Sequence, residues 1–418
     1  MYIFKMGHAI MNNINQHLDD ETITTLKSTV SFLAENGTTI TRLFYKKLFE
    51  SHPELKNVFN LSHQADGDQQ QALARAVYGF ANNLDDLDAF AGEISRIAHK
   101  HTSLNVQPEH YPIVGENLLS AIHEVVTKKV NVDAADTITD AWGKGYGVLA
   151  DLLIGFEKKL YDKSENQVSG WKGLREFRLI KKEEESEGIT SFYIKPTDNK
   201  ALPVYQAGQY ISVYVKADDW DYQQIRQYSL SDAHRDDCYR LTIKKEGLVS
   251  QYLHDQWDVG EVINITPPAG DFYLQENTEN PVVLLGAGVG VTPMISLLNS
   301  VLEKRMDQKI VFAHAVKNSK QHAFKQFIND TTTQYSNRFE AITFYEDPLD
   351  IDEPTKDYDH HGLMDLEIIN DAVKQQDANY YLCGPKPFMA SLHKTLSSWG
   401  VPKNNIHYEV FGADKSLY

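Results

Sequence analysis

Hydrophobic positions recur every three or four residues in long blocks up to residues 165–167, and short polar breaks separate the blocks. The breaks contain Gly, Pro, Asn or Asp. No segment in this region alternates with the period of two that is typical of a half-buried strand. The pattern therefore predicts an all-α domain in the first part of the chain.

After Gly170 the pattern changes to short segments rich in β-branched residues and bounded by turn residues, which predict an antiparallel barrel or sandwich. The predicted strands are Phe177 to Ile180, Thr190 to Ile194, Tyr210 to Val215, Tyr239 to Ile243 and Val262 to Ile265. We expect the charged run from Lys181 to Glu187 to form a solvent-exposed turn.

From Pro281 onward, apolar strands alternate with helical segments, which is typical of a parallel α/β sheet. These strands are Val282 to Leu285, Lys309 to Val316, Ala341 to Tyr345 and Tyr380 to Leu382. The chain therefore predicts three domains in the order α, β and α/β.

The composition is that of a globular protein, with 42% hydrophobic and 24% charged residues. A formal net charge of -17 argues against nucleic acid and anionic membranes as partners, because both are negatively charged.

The N-terminal segment makes a poor signal peptide and no run is long enough to cross a bilayer. We expect a cytoplasmic protein without stable membrane association. We expect a monomer.

The only cysteines, Cys238 and Cys383, have no partner at metal-ligand spacing. This pattern excludes a disulfide framework, a cysteine-rich zinc site and a cysteinyl iron–sulfur cluster, and it fits a reducing compartment.

A histidine ends an apolar stripe in the helical region. Phe90, Ile94 and Ile97 precede His101 at helical spacing, so the four residues share one face of a helix. By itself such a histidine is more often a hydrogen-bonded core residue than a metal ligand. His99 lies two residues earlier, and we expect it to face water.

Further polar side chains interrupt the apolar faces of other predicted helices: Tyr45, Gln69, Tyr111 and Glu157. Each alone has an ordinary structural explanation. Together with His101 they predict a buried polar guest inside the helical domain.

Four segments resemble the globin half of flavohaemoglobins: Phe59-Asn60-Leu61-Ser62, Gly67-Asp68-Gln69, Lys100-His101-Thr102-Ser103 and Ala141-Trp142-Gly143-Lys144. The resemblance implies that His101 is the proximal ligand of haem b and that Phe59 packs on the porphyrin. It also implies that Tyr45 and Gln69 lie on the distal side, over the bound gas.

The same resemblance implies that Tyr111 and Glu157 hydrogen-bond His101 from behind. A carboxylate in that place makes the imidazole a stronger electron donor to iron. The sequence contains no C-x-x-C-H attachment motif, so we expect the haem to be held without covalent bonds.

A series of motifs in the second region resembles the flavin domain of ferredoxin-reductase-like enzymes: Gly208-Gln209-Tyr210, Arg226-Gln227-Tyr228-Ser229, Gly247-Leu248-Val249-Ser250 and Pro268-Ala269-Gly270-Asp271. The resemblance implies an FAD site in which Arg226 meets the pyrophosphate as a fixed cation. Other positions of these motifs would flank the flavin, hydrogen-bond near its redox-active nitrogen or donate to phosphate: Tyr210, Gln227, Tyr228, Ser229, Val249 and Ser250.

A glycine-rich turn follows the first strand of the third region and reads Gly286-Ala287-Gly288-Val289-Gly290-Val291-Thr292-Pro293. We expect a helix from Met294 to Leu302 with Thr292 as its cap. A glycine-rich turn before a helix N-terminus is a site for a dinucleotide phosphate. The glycine spacing differs from G-x-G-x-x-G and resembles the reductase family's own version.

Cys383-Gly384-Pro385 resembles the second nicotinamide-side motif of that family, with Cys383 as a packed neighbour of the nicotinamide and not a nucleophile. The cofactor can be NADH or NADPH. Lys317 and Lys320, after a predicted strand, are placed where they could meet the 2′-phosphate of NADPH.

The segment Tyr408-Glu409-Val410-Phe411-Gly412-Ala413 resembles the flavin-covering segment of the family. The resemblance implies that Phe411 shields the ring and that Glu409 reaches Lys100 across the domain boundary. The family pattern is C-F-G-P, from which Val410 and Ala413 depart.

The resemblance covers the chain from about Leu18 to Phe411 and implies NAD(P)H-driven dioxygenation of nitric oxide to nitrate. Two alternatives remain: an oxygen-binding or sensing globin kept ferrous by its reductase, and a general NADH-dependent flavin or ferric reductase. We expect an N-terminal extension at 1–16, a globin domain at 17–162, a linker at 163–170, an FAD-binding barrel at 171–274 and an NAD(P)H-binding domain at 281–418.

Overall fold

The computed structural model describes residues 18–59, 68–85, 87–275, 279–304, 307–374, 377–412 and 417, without the side chains of residues 68–71 and 87–89. The expected N-terminal extension at 1–16 lies outside the described residues. Among the described residues, no helix is long and apolar enough to span a membrane.

The first part of the chain is helical, as predicted. Its helices are α1 (Asp20–Ser51), α2 (Asp68–Asn82), α3 (Leu87–Ser103), α4 (His110–Val126) and α5 (Val132–Asn166), with a short 3-10 turn at Pro53–Asn57. Polar caps start the two longest helices, because Asp19 accepts a hydrogen bond from the Thr22 amide at 2.7 Å and Asn131 accepts one from the Ala134 amide at 2.9 Å. The inward faces of all five helices form one apolar core.

Helix α5 ends at Asn166, so it continues beyond Asp162, where we placed the end of the globin domain. The first residues of the expected linker are therefore helical. The polar composition of the last turn concealed this, since the turn is largely solvent-exposed and needs no apolar positions.

The second part is a six-stranded antiparallel sheet of β1 (Arg175–Ser186), β2 (Ile189–Pro196), β3 (Tyr210–Val215), β4 (Gln224–Ser229), β5 (Tyr239–Lys244) and β6 (Val262–Ile265) in the order β4-β3-β6-β1-β2-β5. Leu230 bridges to Leu241, which brings the two outer strands together around an apolar interior. Helix α6 (Leu248–Asp255) follows β5.

The expectation of a solvated turn at Lys181 to Glu187 is wrong. Residues up to Ser186 belong to β1 and pair with β2. Only the first part of β1, Arg175 to Arg178, also pairs with β6. The remainder has one open edge, and charged side chains are the usual protection of such an edge.

The third part is a six-stranded parallel sheet of β7 (Val282–Ala287), β8 (Ile310–Val316), β9 (Phe339–Tyr345), β10 (His360–His361), β11 (Asn379–Cys383) and β12 (Ile406–Glu409), in the order β10-β9-β8-β7-β11-β12. Helices α7 (Val291–Lys304), α8 (Lys325–Gln334), α9 (Asn370–Val373) and α10 (Lys386–Ser398) connect the strands. An apolar core covers each face of the sheet.

The strand order reverses between β7 and β11, which lie side by side at the centre of the sheet. Open α/β sheets bind ligands at such a switch point, beyond the carboxyl ends of the strands. The fold therefore places the loops after Ala287 and Cys383 at the expected ligand-binding edge.

Candidate functional site

The helices of the first domain line a cavity of about 270 Å³. Its walls are mainly apolar and carry Tyr45 and Phe59 on one side and His101 and Tyr111 on another. An apolar pocket with a few placed polar groups is the usual form of a cofactor site. The cavity shows that the helices surround a space that a ligand can occupy.

The proximal group is built on three helices. His101 on α3 places Nδ1 2.8 Å from Oε1 of Glu157 on α5 and 3.0 Å from the hydroxyl of Tyr111 on α4. The Tyr111 hydroxyl itself donates to the same Glu157 oxygen at 2.5 Å. Burial, reinforced by the nearby carboxylate, raises the pKa of Tyr111 and keeps it a donor. The structure brings together the three residues that the family resemblance grouped.

This network leaves Nε2 of His101 without a hydrogen bond to any described residue. Because a carboxylate accepts, Nδ1 is the nitrogen that donates to Glu157, and Nε2 is the nitrogen placed to bind a metal. An imidazole that donates one ring N–H to a carboxylate and offers the other nitrogen to the metal is the usual proximal ligand of haem iron. The residues therefore fit a haem held by His101.

The distal wall contains Tyr45, which is only 4% exposed. Its ring contacts Phe49 and meets the edge of Phe59 at 5.8 Å, while its hydroxyl makes no hydrogen bond with a described residue. Burial raises its pKa, so the hydroxyl remains protonated. Gln69 lies within α2, but its side chain is outside the described part of the structure.

The flavin motif occupies the ends of β3 and β4, where Tyr210 pairs with Ser229 across the two strands. Gly270 packs under the Tyr210 ring with a φ of 110°, and a Cβ atom there would approach the ring to 2.9 Å. Arg226 is largely buried, and desolvation lowers its pKa. Buried aromatic rings, a hydroxyl and a cation together fit the requirements of FAD.

Val249 and Ser250 form the first turn of α6, after Gly247 with a φ of 85°. The Ser250 hydroxyl donates to the carbonyl of Glu246 at 2.6 Å and accepts from its amide at 2.7 Å. The hydroxyl thus already stabilises its own turn.

Gln227 has contacts that sequence reasoning did not foresee. Its side chain accepts a hydrogen bond from Nζ of Lys100 and donates to Oγ of Ser103 at 2.6 Å, both on α3. The middle of the flavin motif therefore docks on the helix that carries His101. The pairing of Lys100 with Glu409 remains a prediction.

The structure corrects the expectation that His99 faces water. Its Nδ1 accepts a hydrogen bond from the amide of Gly270 at 3.3 Å. His99 also lines a space of about 180 Å³ between the helical domain and the barrel. Helix α3 therefore contacts the flavin domain through His99 as well as through Lys100 and Ser103.

The two nicotinamide-side motifs lie together at the switch point. The loop Gly288–Gly290 packs on Cys383 and Gly384, and a Cβ atom on Gly290 would lie 2.3 Å from the carbonyl oxygen of Cys383. Only glycine allows this approach. Cys383 is fully buried, which favours a packing role.

Helix α7 begins at Val291, with Thr292 and Pro293 buried in its first turn. The hydroxyl of Thr292 donates to the carbonyl of Val289 at 3.0 Å, so the expectation that Thr292 caps the helix is wrong. The helix starts earlier because the glycine turn itself coils into it.

His314 was missed by sequence reasoning. It lies on β8 with 1% exposure and places Nε2 3.1 Å from the carbonyl oxygen of Gly288. Burial lowers its pKa to about 4, so the neutral ring donates to the loop. The available signal was a single polar residue within the otherwise apolar strand Ile310–Val316.

The C-terminal segment reaches back to the helical domain. Glu409 is buried at the end of β12, paired with Cys383, and Val410 is buried beside it. Phe411 is 50% exposed. Gly412 lines the globin cavity, and Ala413 lies outside the described residues.

Comparisons with known proteins agree with this architecture. The chain matches family models described as globin over residues 42–153, oxidoreductase FAD-binding domain over 176–273 and oxidoreductase NAD-binding domain over 284–394. All three segments fall within the domains expected from the sequence.

Two curated relatives match over nearly the whole chain. The flavohemoprotein of Rhizobium meliloti is 44% identical, over 95% of this chain and 99% of the relative. The flavohemoprotein of Bacillus subtilis is 44% identical, over 96% of this chain and 99% of the relative.

Among solved structures, the flavohemoglobin of Malassezia yamatoensis with bound FAD and heme aligns with a TM-score of 0.82 at 28% identity, covering 94% of this chain and 100% of that one. The FAD/NAD-binding domain of a nitric oxide dioxygenase from Vibrio cholerae aligns with a TM-score of 0.51 at 37% identity, covering 57% of this chain and 98% of that one. The chain belongs to the flavohaemoprotein family and carries its globin, FAD-binding and NAD-binding domains in that order.

Proposed function

We propose that the protein is a nitric oxide dioxygenase that uses NAD(P)H to convert nitric oxide and O2 to nitrate. The observation that carries the proposal is the polar geometry of the globin cavity. The cavity is lined by an imidazole backed by a carboxylate and by a buried tyrosine whose hydroxyl bonds no described residue. An FAD-binding domain docks directly on the helix that holds the imidazole.

When bound, haem supplies an iron that takes single electrons and binds O2, while FAD accepts a hydride and releases single electrons. Glu157 keeps the imidazole proton of His101 on Nδ1 and fixes the ring orientation. Tyr45 is placed to donate a hydrogen bond to a ligand that carries partial negative charge. The apolar walls exclude water, which strengthens that hydrogen bond.

On the reductase side, the Gly288–Gly290 loop and the first turn of α7 would bind the dinucleotide phosphates. The close packing of this loop on Cys383 and Gly384 fixes the two nicotinamide-side motifs against each other. Gln227 would hold the flavin end of β4 against α3, the helix that carries the haem ligand.

The roles of the individual site residues are part of this proposal. We also propose that the protein is a cytoplasmic monomer without nucleic-acid partners. Cys238 and Cys383 form no disulfide, which is compatible with a reducing compartment. O2, nitric oxide and NAD(P)H are the expected small-molecule partners.

The test is nitrate formation under aerobic nitric oxide, measured against NADH consumption. Joining one nitric oxide and one O2 into nitrate takes one electron, so the two electrons of NADH should yield two nitrate ions. A control without nitric oxide should show slow NADH oxidation and no nitrate. NADH oxidation that nitric oxide does not accelerate, without nitrate, would favour the oxygen-binding or general reductase alternative.

A further inference from the structure

A buried carboxylate lies where the FAD-binding barrel meets the nucleotide-binding domain. Asp232 follows closely after the flavin motif that ends at Ser229, and it is only 5% exposed. Its Oδ1 accepts a hydrogen bond from Nδ2 of Asn299 on α7 at 2.7 Å and from the Ala233 amide at 2.9 Å. Arg235 lies 2.8 Å from Oδ2.

The backbone carbonyl of Asp232 makes a second connection to the same helix. It accepts a hydrogen bond from the hydroxyl of Ser296 at 2.6 Å and one from the hydroxyl of Tyr205 at 2.7 Å. The Ser296 oxygen in turn accepts the amide of Gly208 at 3.3 Å. Ser296 and Asn299 are one turn apart, so they present the same face of α7 to the barrel.

The connected segments are those that carry the two redox motifs. Gly208 begins the segment that leads to Tyr210, and Asp232 follows the strand that holds Arg226 and Ser229. On the other side, α7 emerges directly from the Gly288–Gly290 loop. A shift of α7 against the barrel would therefore move the nicotinamide-side loop relative to the flavin strands.

We propose that Asp232, Ser296 and Asn299 form an inter-domain clamp that positions the bound nicotinamide against the flavin for hydride transfer. The inference rests on the proposed function to the extent that both cofactors bind. The three side chains do not enter either cofactor motif, so they act as positioning residues.

The chemistry of the clamp favours a single geometry. Ser296 is fully buried and Asp232 nearly so, so water does not compete for their hydrogen bonds. A buried carboxylate oxygen that loses a hydrogen-bond donor and gains no water in its place is costly. Separation of α7 from the barrel would remove the Asn299 donor and so carries that cost. Hydride transfer is sensitive to such a shift, since a misplacement of about 1 Å can cost about 100-fold in rate.

The experiment is stopped-flow reduction of the flavin by NADH in the full-length holoprotein. Asn299→Leu and Ser296→Ala should slow flavin reduction by about 10- to 100-fold. The dissociation constant of NADH, the FAD content and the haem and flavin spectra should stay close to those of the wild type. NADH deuterated at the transferred position should show a larger isotope effect on turnover, because hydride transfer then limits the rate.

Two further variants separate positioning from general stability. Asp232→Asn keeps an oxygen for Asn299 to donate to and should restore most of the rate that Asp232→Ala loses. Arg235→Ala removes an ion pair to the same carboxylate from within the barrel, so it should leave flavin reduction nearly unchanged. Asp232→Ala combined with Asn299→Ala should be no slower than the slower single variant, since the two residues share one interaction.

Unchanged flavin reduction in Asn299→Leu and Ser296→Ala would overturn the clamp, as would a loss confined to NADH affinity or FAD content. These outcomes do not depend on nitric oxide chemistry. A wild-type protein whose flavin is reduced by NADH but which forms no nitrate would contradict the proposed function and leave the clamp in place.

Discussion

At the back of the globin cavity, one carboxylate oxygen accepts hydrogen bonds from two side chains. Oε1 of Glu157 accepts hydrogen bonds from the Tyr111 hydroxyl and from Nδ1 of His101, and Glu157 itself is only 2% exposed. The apolar stripe that ends at His101 singled this residue out in the sequence, and the family resemblance implied that it binds haem. The family resemblance supplied its partners, since separations of 10 and 56 residues carry no local signal.

We expect Glu157→Gln to shift the haem reduction potential and leave O2 release nearly unchanged. Glutamine preserves an acceptor oxygen but removes the negative charge behind the imidazole, so His101 becomes a weaker donor. Spectroelectrochemical titration measures the potential, and flash photolysis measures O2 release. A potential equal to that of the wild type would show that the Glu157 charge does not act on the haem.

Tyr45→Phe should retain haem but release O2 about 10 to 100 times faster. The loss of one hydrogen bond to a partly charged ligand costs about 1.5–3 kcal/mol, which corresponds to that change in dissociation constant. Tyr146→Phe is the matched control, because Tyr146 also lines the cavity but its hydroxyl bonds the carbonyl of Tyr111 at 2.7 Å. Equal O2 release from wild type and Tyr45→Phe would rule out a distal hydrogen bond.

His314 predicts a pH dependence of stability in the nucleotide-binding domain. Its pKa falls from 6.5 to about 4 on burial, so the unfolded state binds more protons between these values. The contribution of the neutral His314 ring to the free energy of unfolding is fully present above pH 6.5. It diminishes as the pH falls and is lost below about pH 4, and its full size is about 3 kcal/mol. Urea unfolding at several pH values should show a flatter pH dependence for His314→Asn than for the wild type. His361→Asn, at an exposed position of the same sheet, should keep the wild-type slope.

At the scale of elements, α3 shows how one helix serves different neighbours. His101 faces the cavity, His99 contacts the barrel through Gly270, and Lys100 and Ser103 hold Gln227. Periodicity predicted the cavity face correctly because that face is apolar. It assigned His99 to solvent because a polar face turned to water and one turned to another domain have the same pattern.

The strands show a similar limit. Nine of the twelve described strands were anticipated because many of their side chains are buried within apolar, β-branched segments, as in Tyr210–Val215 and Val282–Ala287. The charged half of β1 was missed because its pairing depends on backbone hydrogen bonds to β2 and not on side-chain hydrophobicity. His314 was missed because a fully apolar strand was expected around it.

We expect Gln227→Ala to slow electron transfer from flavin to haem by about ten-fold or more, through looser positioning of β4 on α3. Reduction of the flavin by NADH should be unaffected, since the substitution lies on the face toward the globin. Gln223→Ala is the control, because Gln223 contacts Asn57 of the helical domain through its backbone amide at 2.9 Å. Rapid-scan spectroscopy resolves the two steps. A loss of NADH-driven flavin reduction in Gln227→Ala would assign this glutamine to the flavin site instead.

At the scale of the whole molecule, the order of the three domains was predictable from changes in hydrophobic period, whereas their docking was not. The contacts of Gln227, His99 and Asp232 join residues far apart in the sequence. Such contacts depend on surface complementarity between finished folds. The linker was placed slightly early because α5 continues to Asn166 with a polar last turn.

Cleavage of the chain between Val168 and Ser169 should separate the two activities without unfolding either part. Val168 is 89% exposed, and the cut lies beyond the end of α5. The first fragment should bind haem and, once chemically reduced, O2; the second should oxidise NADH with an artificial acceptor. Mixing at micromolar concentration should recover little nitric oxide turnover, because the linker holds the parts at an effective concentration of about millimolar.

Turnover of the mixed fragments should rise with concentration if interface affinity is weak. Full recovery at micromolar concentration would show that contacts such as Gln227 with Ser103 organise the complex without the linker. Failure of the first fragment to bind haem would overturn the domain boundary.

One wall of the globin cavity is completed by Gly412, a residue of the third domain. During synthesis the N-terminal domain leaves the ribosome first and folds as a unit. The cavity therefore stays open on that side while the reductase is still being made. We expect haem to enter during this interval, through the side of the cavity that Gly412 later covers.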